Sequence, residues 1–287
     1  MSFSRSHSSL IEAQKGKYAI GAFNIVDENT SAAVVAAANE LNVPVILQTS
    51  VKTVEWFGPE EIACWVRTIA EKSAVPVSLN LDHCQSFEMI KNCVAAGWTD
   101  VMFDGSHLPF EDNIRQTAEV VEYAHSHDVC VEGELGAIAG VEDDISVAVS
   151  VLTEPDDAVR FVSETGIDVF APAIGTAHGM YHKEPVIEFD RLAEISARVT
   201  VPIAIHGGTG LSAETIRKLI RLGGVKINVS TAIKQTYQAA VNGDADKMKS
   251  GEPLAVIKRV FEDVSETAKS LMVLFTKTDR SSEESYE

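Results

Sequence analysis

The 287-residue chain is 45% hydrophobic and carries a formal net charge of −18, which opposes nucleic acid and anionic membrane surfaces, because both need clustered Lys and Arg. No apolar run reaches the ~20 residues of a membrane span, and the stretch from Met1 to His7 lacks the apolar core of a secretory signal. Cys64, Cys84, Cys93 and Cys130 form no CxxC pair, so they read as reduced thiols of a cytoplasmic protein.

Short apolar runs alternate with longer helix-like segments along nearly the whole chain. Strands are predicted at residues 18–23, 45–48, 77–81, 99–103, 129–134, 168–171, 202–205 and 225–229. Helices are predicted between them at 28–41, 60–72, 86–96, 111–124, 156–165, 189–197 and 213–222, and after the last strand at 231–240 and about 253–274. Alternation of this kind implies parallel strands with right-handed crossovers. Eight such units in a chain of this length predict a single-domain α/β fold over residues 1–287, a (β/α)8 TIM barrel rather than an open doubly wound sheet. The acidic stretch 279–287 is predicted to be a disordered tail.

Two connections exceed the usual few residues. Residues 135–154 carry Gly136, Gly140 and the acidic run Glu142-Asp143-Asp144, and residues 172–186 carry His178. Both leave the C-terminal ends of predicted strands. That is the catalytic end of such barrels, where long loops act as lids or binding loops.

Three histidines follow three different strands in the sequences Leu81-Asp82-His83, Gly175-Thr176-Ala177-His178-Gly179 and Ile205-His206-Gly207-Gly208. Any one alone reads as a satisfied histidine in a polar loop. Parallel strands closed into a barrel would bring all three to one rim, and three neutral imidazoles with an open fourth position make a catalytic zinc site. His125 and His127 close a predicted helix and read as surface residues favoured by its dipole. Asp82, beside His83, is either a general acid or base near the metal or a cap for the helix starting near Ser86. Asp104 and Glu134 end strands four and five, as partners that orient the imidazoles, as alternate metal ligands, or as a buried polar network. Cys84 as a fourth ligand would close the site; the remaining cysteines read as core filler. Lys226 shares a strand face with Asn228, which leaves Schiff-base chemistry open.

Two segments suit phosphate. His206-Gly207-Gly208-Thr209-Gly210 follows strand seven, and Asn228-Val229-Ser230-Thr231 ends strand eight and opens a helix. Loops after strands seven and eight are the recurrent phosphate site of this fold, with backbone N–H groups and a helix N-terminus aimed at the anion. Lys183 is a candidate positive charge for the same anion, or a solvated surface lysine.

Together these stretches, with Phe103-Asp104-Gly105-Ser106-His107, Glu132-Gly133-Glu134-Leu135-Gly136 and Gly140-Val141-Glu142-Asp143-Asp144, resemble the class II, metal-dependent ketose-bisphosphate aldolases, the tagatose-bisphosphate subgroup most closely. The likeness is colinear from about Tyr18 to Ala240. It implies that His83, His178 and His206 hold Zn²⁺, with a monovalent cation as an optional second ion. It implies that Asp82 moves the proton of the hydroxyl where the carbon–carbon bond breaks, that Glu142 on the mobile loop performs the second proton transfer, and that Asn228 helps hold the enediolate. It places Ser50, Gly179, Lys183, Gly207, Gly208, Thr209, Asn228, Ser230 and Thr231 around the phosphorylated substrate. The implied reaction is reversible cleavage of a tagatose- or fructose-type ketose 1,6-bisphosphate into dihydroxyacetone phosphate and an aldehyde such as glyceraldehyde 3-phosphate, by a homo-oligomer. Cys84 stands where the family often has His or Gly, Asp27 where it commonly has Asn, and the stretch 275–280 where it commonly has a Gly-Ser segment near the substrate phosphate of a neighbouring subunit. The rival readings are an aldolase for another phosphorylated ketose, a metal-dependent hydrolase on the same fold, and a non-catalytic sugar-phosphate-binding partner subunit. Such hydrolases often carry an HxH pair on the first strand, and residues 19–24 hold none.

Overall fold

The computed structural model describes residues 2–142, 145–147, 150–179, 185–243 and 252–276. Its strands, in chain order, are β1 (Ile20–Asn24), β2 (Val45–Ser50), β3 (Val77–Cys84), β4 (Asp100–Phe103), β5 (Cys130–Leu135), β6 (Ala139–Glu142), β7 (Ile145–Val147), β8 (Val169–Pro172), β9 (Ala177–His178), β10 (Ile203–Ile205) and β11 (Gly224–Val229). Eight of them close a barrel in the order β1-β2-β3-β4-β5-β8-β10-β11, with β11 returning to β1, and every pair is parallel. The fold is the predicted (β/α)8 barrel. Runs such as Val45-Ile46-Leu47 form strands because both of their faces are buried, as in any parallel sheet wrapped by helices.

The described helices are α1 (His7–Gly16), α2 (Glu28–Leu41), α3 (Val51–Phe57), α4 (Pro59–Ala70), α5 (Phe87–Ala95), α6 (Phe110–Ser126), α7 (Pro155–Thr165), α8 (Phe189–Arg198), α9 (Ala213–Arg221), α10 (Thr231–Gly243) and α11 (Pro253–Thr276). Their starts follow local rules. Asp27 forms a capping box with Thr30, and the hydroxyls of Ser86 and Ser212 accept from the third amides of α5 and α9. Pro59 and Pro155 occupy first turns, where no hydrogen bond is lost. Helices α1 and α3 were not anticipated; both are short, and α3 follows β2 without a loop. No described helix is long and apolar enough to cross a membrane.

Two apolar regions hold the barrel together. The larger lies between strands and surrounding helices, with Leu47, Leu79, Phe103, Phe161, Phe170 and Val264 fully or almost fully buried in it. The smaller fills the barrel interior: Ile20, Ala22, Ile46, Val169, Ala171 and Ala204, closed at the N-terminal end by Leu10 and Ala13 of α1. Alanines stand among the larger apolar side chains, and long polar ones share the interior: Asn80, Asp100, Glu132 and Lys226 are all buried.

The two long connections are not irregular, as their predicted loop character had suggested. β6, β7 and β9 form a separate three-stranded sheet at the barrel mouth, in the order β7-β6-β9. Ala139 pairs with Ala177 and Gly140 with His178 in parallel register, and β6 and β7 form an antiparallel hairpin.

Candidate active site

Asp82 and His83 are neighbours on one strand, so regular alternation would send their side chains to opposite faces. The strand breaks that rule at its end. His83 has φ of 45°, and the pairing of β3 with β4 shifts register between Leu81 and Cys84. A left-handed histidine is uncommon and costs energy, the kind of strain found at functional sites. It allows both side chains to reach the barrel mouth.

His206 directly follows β10, while His178 sits six residues beyond β8, on β9 of the rim sheet rather than at the end of a barrel strand. Two glycines press the backbone there into place. A Cβ on Gly140 would lie 2.4 Å from the carbonyl oxygen of His178, and one on Gly207 2.3 Å from that of Ala177. Both glycines have positive φ, which other residues resist. The three rings meet edge to face, with centroids 4.8 Å apart for His83–His178, 4.6 Å for His83–His206 and 5.9 Å for His178–His206. One potential ligand atom from each lies within 4.8 Å of the other two.

The outer nitrogens of two rings are tied to carboxylates. His83 Nδ1 lies 3.0 Å from Asp104 Oδ2, and His206 Nε2 lies 2.7 Å from Glu132 Oε1. Burial alone would raise Asp104, but hydrogen bonds from His83 and Ser106 outweigh it and hold the carboxyl well below its usual range. Burial likewise opposes Glu132, yet the Lys226 ammonium and His206 bring it down to about 2. Both are therefore ionised acceptors, and each ring must donate to its carboxylate. His206 is kept neutral chiefly by burial. The remaining nitrogens, His83 Nε2 and His206 Nδ1, face each other at 2.8 Å. A divalent cation would take a lone pair from each, with His178 beside them. The donor set of three imidazoles, two of them held by carboxylates, fits zinc.

Glu134 lies beside this pair, with Oε2 3.7 Å from His83 Nδ1 and without a hydrogen-bond partner. Burial, then the Asp104 charge, pushes its carboxyl well up. Of the two residues read as partners or alternate ligands, Asp104 thus bonds His83 directly and Glu134 stands behind it.

Asp82 does not cap α5, because Ser86 does. Its carboxylate accepts from Asn24 Nδ2 at 2.9 Å and Gln48 Nε2 at 3.1 Å through Oδ2, and from Asn228 Nδ2 at 3.3 Å through Oδ1. Asn24, Gln48 and Glu132 were missed in the sequence. The signal was present, since each is a polar residue that follows apolar ones within a barrel strand. Cys84 lies in the apolar core, Sγ donating to the Ser86 carbonyl at 3.3 Å, and it is not among the side chains gathered with the three histidines in the described residues. Lys226 is buried below the site, with Nζ 2.6 Å from Glu132 Oε2. That contact pairs Lys226 with a carboxylate in the barrel core and not with a group at the mouth.

Above the histidines, His178, Gly179, Gly207, Gly208, Thr209, Asn228, Ser230 and Thr231 line one cleft. Gly208 N–H is spent on the Asn228 carbonyl at 3.2 Å, and Ala232 N–H on Thr209 Oγ1 at 3.3 Å. The N-terminus of α10 opens at Thr231, in the position that favours an anion. Ser50 ends β2 opposite Asp82 in register, at the same rim. Glu142 ends β6, but its side chain lies outside the described residues, as do Asp143, Asp144, Lys183 and the tail 279–287. Of the cysteines read as core filler, Cys93 and Cys130 are buried and Cys64 is exposed.

Residues 4–280 match the family model described as class-II fructose-bisphosphate aldolase. The chain is similar to the crystal structure of the YdjI aldolase from Escherichia coli K12, at 33% identity and a TM-score of 0.86, over 95% of this chain and 97% of that one. It is similar to that of a candidate fructose-1,6-bisphosphate aldolase from Coccidioides immitis, at 27% identity and a TM-score of 0.89, over 95% and 96%. A fructose-bisphosphate aldolase (Fba) from Campylobacter jejuni shares the fold at 19% identity and a TM-score of 0.83, over 96% and 97%.

Proposed function

The chain belongs to the class II fructose-bisphosphate aldolase family, and from that premise we propose that it is a zinc-dependent aldehyde-lyase. It reversibly cleaves a ketose 1,6-bisphosphate of the tagatose or fructose type into dihydroxyacetone phosphate and an aldehyde such as glyceraldehyde 3-phosphate. The observation that carries the reading is the pair of ring nitrogens facing each other at 2.8 Å, each backed by a carboxylate, beside a buried aspartate and a Gly-rich anion cleft.

His83, His178 and His206 would hold the ion, which when bound supplies a Lewis acid opposite the negative charge that cleavage leaves on the ketone half. Asp82, fixed by Asn24, Gln48 and Asn228, takes the proton of the hydroxyl on the carbon that becomes the aldehyde. The electron pair of the broken carbon–carbon bond stays with the ketone half. Glu142, carried on β6, returns a proton to that carbon. Glu142→Ala should therefore slow exchange of the carbon-bound proton of dihydroxyacetone phosphate with solvent; unchanged exchange would remove Glu142 from the mechanism. Asn228 holds the developing oxyanion. Gly179, Lys183, Gly207, Gly208, Thr209, Ser230 and Thr231, with Ser50 across the rim, receive the substrate and its phosphate. We extend the proposal to a cytoplasmic homo-oligomer, whose interface would cover the exposed Trp56 and Ile257; light scattering of the purified protein tests it.

A coupled assay over a panel of ketose phosphates, in the presence and absence of K⁺, is the direct test. Chelation should abolish turnover, and Zn²⁺ or Co²⁺ should restore it. Full activity of metal-free protein, with borohydride trapping substrate on Lys226, would replace this reading with Schiff-base chemistry. No turnover of any ketose phosphate by zinc-loaded protein would favour a binding subunit.

A further inference from the structure

A second group of ligating side chains lies at the opposite end of the barrel. Cys130 opens β5 and Glu134 is near its end, so about four strand steps, on the order of 13 Å, separate this group from the carboxylate beside His83. His7 starts α1, the helix that closes the N-terminal end, and Asp168 immediately precedes β8. The ligand atoms of His7, Cys130 and Asp168 lie within 4.8 Å of one another.

Each of the three has capacity to spare. His7 Nδ1 is buried without a hydrogen-bond partner and lies 4.0 Å from Asp168 Oδ1. Asp168 uses its other oxygen, Oδ2, for the Val131 N–H and for His125 Nε2, both at 2.8 Å. These two bonds fix the carboxylate while leaving Oδ1 turned toward His7. Burial, then the Asp100 and Asp168 charges, pushes the Cys130 thiol up, so its proton leaves only to a metal; the backbone N–H of His7, at the start of α1, donates to the sulfur and acts in the other direction. Arg5 is the nearby opposing charge, and it is engaged by Asp128 at 2.8 Å.

We propose that His7, Cys130 and Asp168 form a second metal site, for Zn²⁺ or a metal of similar softness, which staples α1 to the floor of the barrel. Imidazole, thiolate and carboxylate together suit such an ion and, unlike an all-oxygen set, do not suit Mg²⁺ or Ca²⁺. One thiolate and one carboxylate neutralise its charge. Binding breaks the S–H bond and releases that proton to solvent, and water completes the shell. The ion would join three elements distant in sequence: the N-terminal helix, β5 and β8. Loss of the site should leave the catalytic end intact.

Cobalt distinguishes the two centres. The three active-site ligands are all nitrogen, so only a site with a cysteine gives an intense thiolate-to-Co²⁺ charge-transfer band. Chelator-stripped protein titrated with Co²⁺ should take up about two ions per chain and develop that band. Cys130→Ser should abolish the band, lower uptake to about one ion per chain and keep aldolase turnover. His7→Ala, at a half-exposed position, should weaken the band in a protein whose fold is not in question. Cys84→Ser should leave the band unchanged. About one ion per chain and no band would overturn the proposal. So would a band that survives Cys130→Ser, or one that disappears only in Cys84→Ser and so belongs to the catalytic centre.

Discussion

Asp82 is held by three amide side chains from three other strands: Asn24 from β1, Gln48 from β2 and Asn228 from β11. Amide donors fix a carboxylate without neutralising it, so the group stays an acceptor aimed into the mouth. Substitution by Asn keeps the size and removes the base. Asp82→Asn should therefore retain metal and melting temperature while kcat falls by roughly 10² or more, the usual scale of general acid–base catalysis. Loss of the metal with kcat otherwise unchanged, measured by elemental analysis beside the assay, would make Asp82 a support for the metal centre instead. The residue was legible as a site candidate because it adjoins His83. Its two readings, base or helix cap, were not separable in the sequence, since the apolar pattern does not fix the first residue of α5; the helix begins at Phe87 with Ser86 as its cap. Asn24 and Gln48 were less legible still, because they matter only once closure of the barrel sets β1 and β2 beside β3.

At the level of elements, all eight barrel strands were legible because each is a short apolar run bounded by a helix pattern, and their ends moved by only a few residues. The rim sheet was not. Strands of three or four residues leave too little sequence for alternation to register, and β9 has only two. Its one sequence trace was Gly140, visible as part of a glycine-containing loop but without a stated reason. The reason is the close approach to His178. Gly140 has φ of 116°, and a Cβ there would lie 2.4 Å from the His178 carbonyl oxygen and 2.8 Å from its nitrogen. Gly140→Ala thus forces either strain of about 1–3 kcal/mol or movement of β9, which carries one of three ligands. Zinc affinity, measured by competition with a chelating dye, should fall on the order of 10-fold, the lower end for losing support behind a ligand. Melting of the metal-free protein should change little, because β9 lies outside the barrel core. The reverse pattern would show that the rim sheet supports the fold and not the site.

Over the whole molecule, the barrel interior is electrostatically divided. Toward the mouth Glu132 is ionised between His206 and Lys226, while toward the floor Asp100 is raised from 3.8 to about 6. Burial is the largest cause for Asp100. The Ser6 hydroxyl and N–H that bond its carboxylate, and the Lys226 charge, all favour ionisation but do not outweigh burial. The folded state thus prefers Asp100 protonated. That preference contributes its full stability below 3.8, the unfolded value, and is lost as pH rises through about 6. The displacement corresponds to about 3 kcal/mol at most. Glu132 acts with opposite sign, because its lowered value adds stability that is present above 4.5 and lost only as pH falls toward about 2. The two windows overlap little, so Asp100 dominates this pair between roughly pH 4 and 7. Asp100→Asn stays neutral throughout and keeps an acceptor for the Ser6 N–H. In chelator-treated protein, urea unfolding at pH 5 and pH 7 should show the wild type losing more stability over that rise than Asp100→Asn does. Parallel pH dependences would mean that Asp100 is ionised in the folded barrel at both values, and that Lys226 is shared between two carboxylates rather than committed to Glu132.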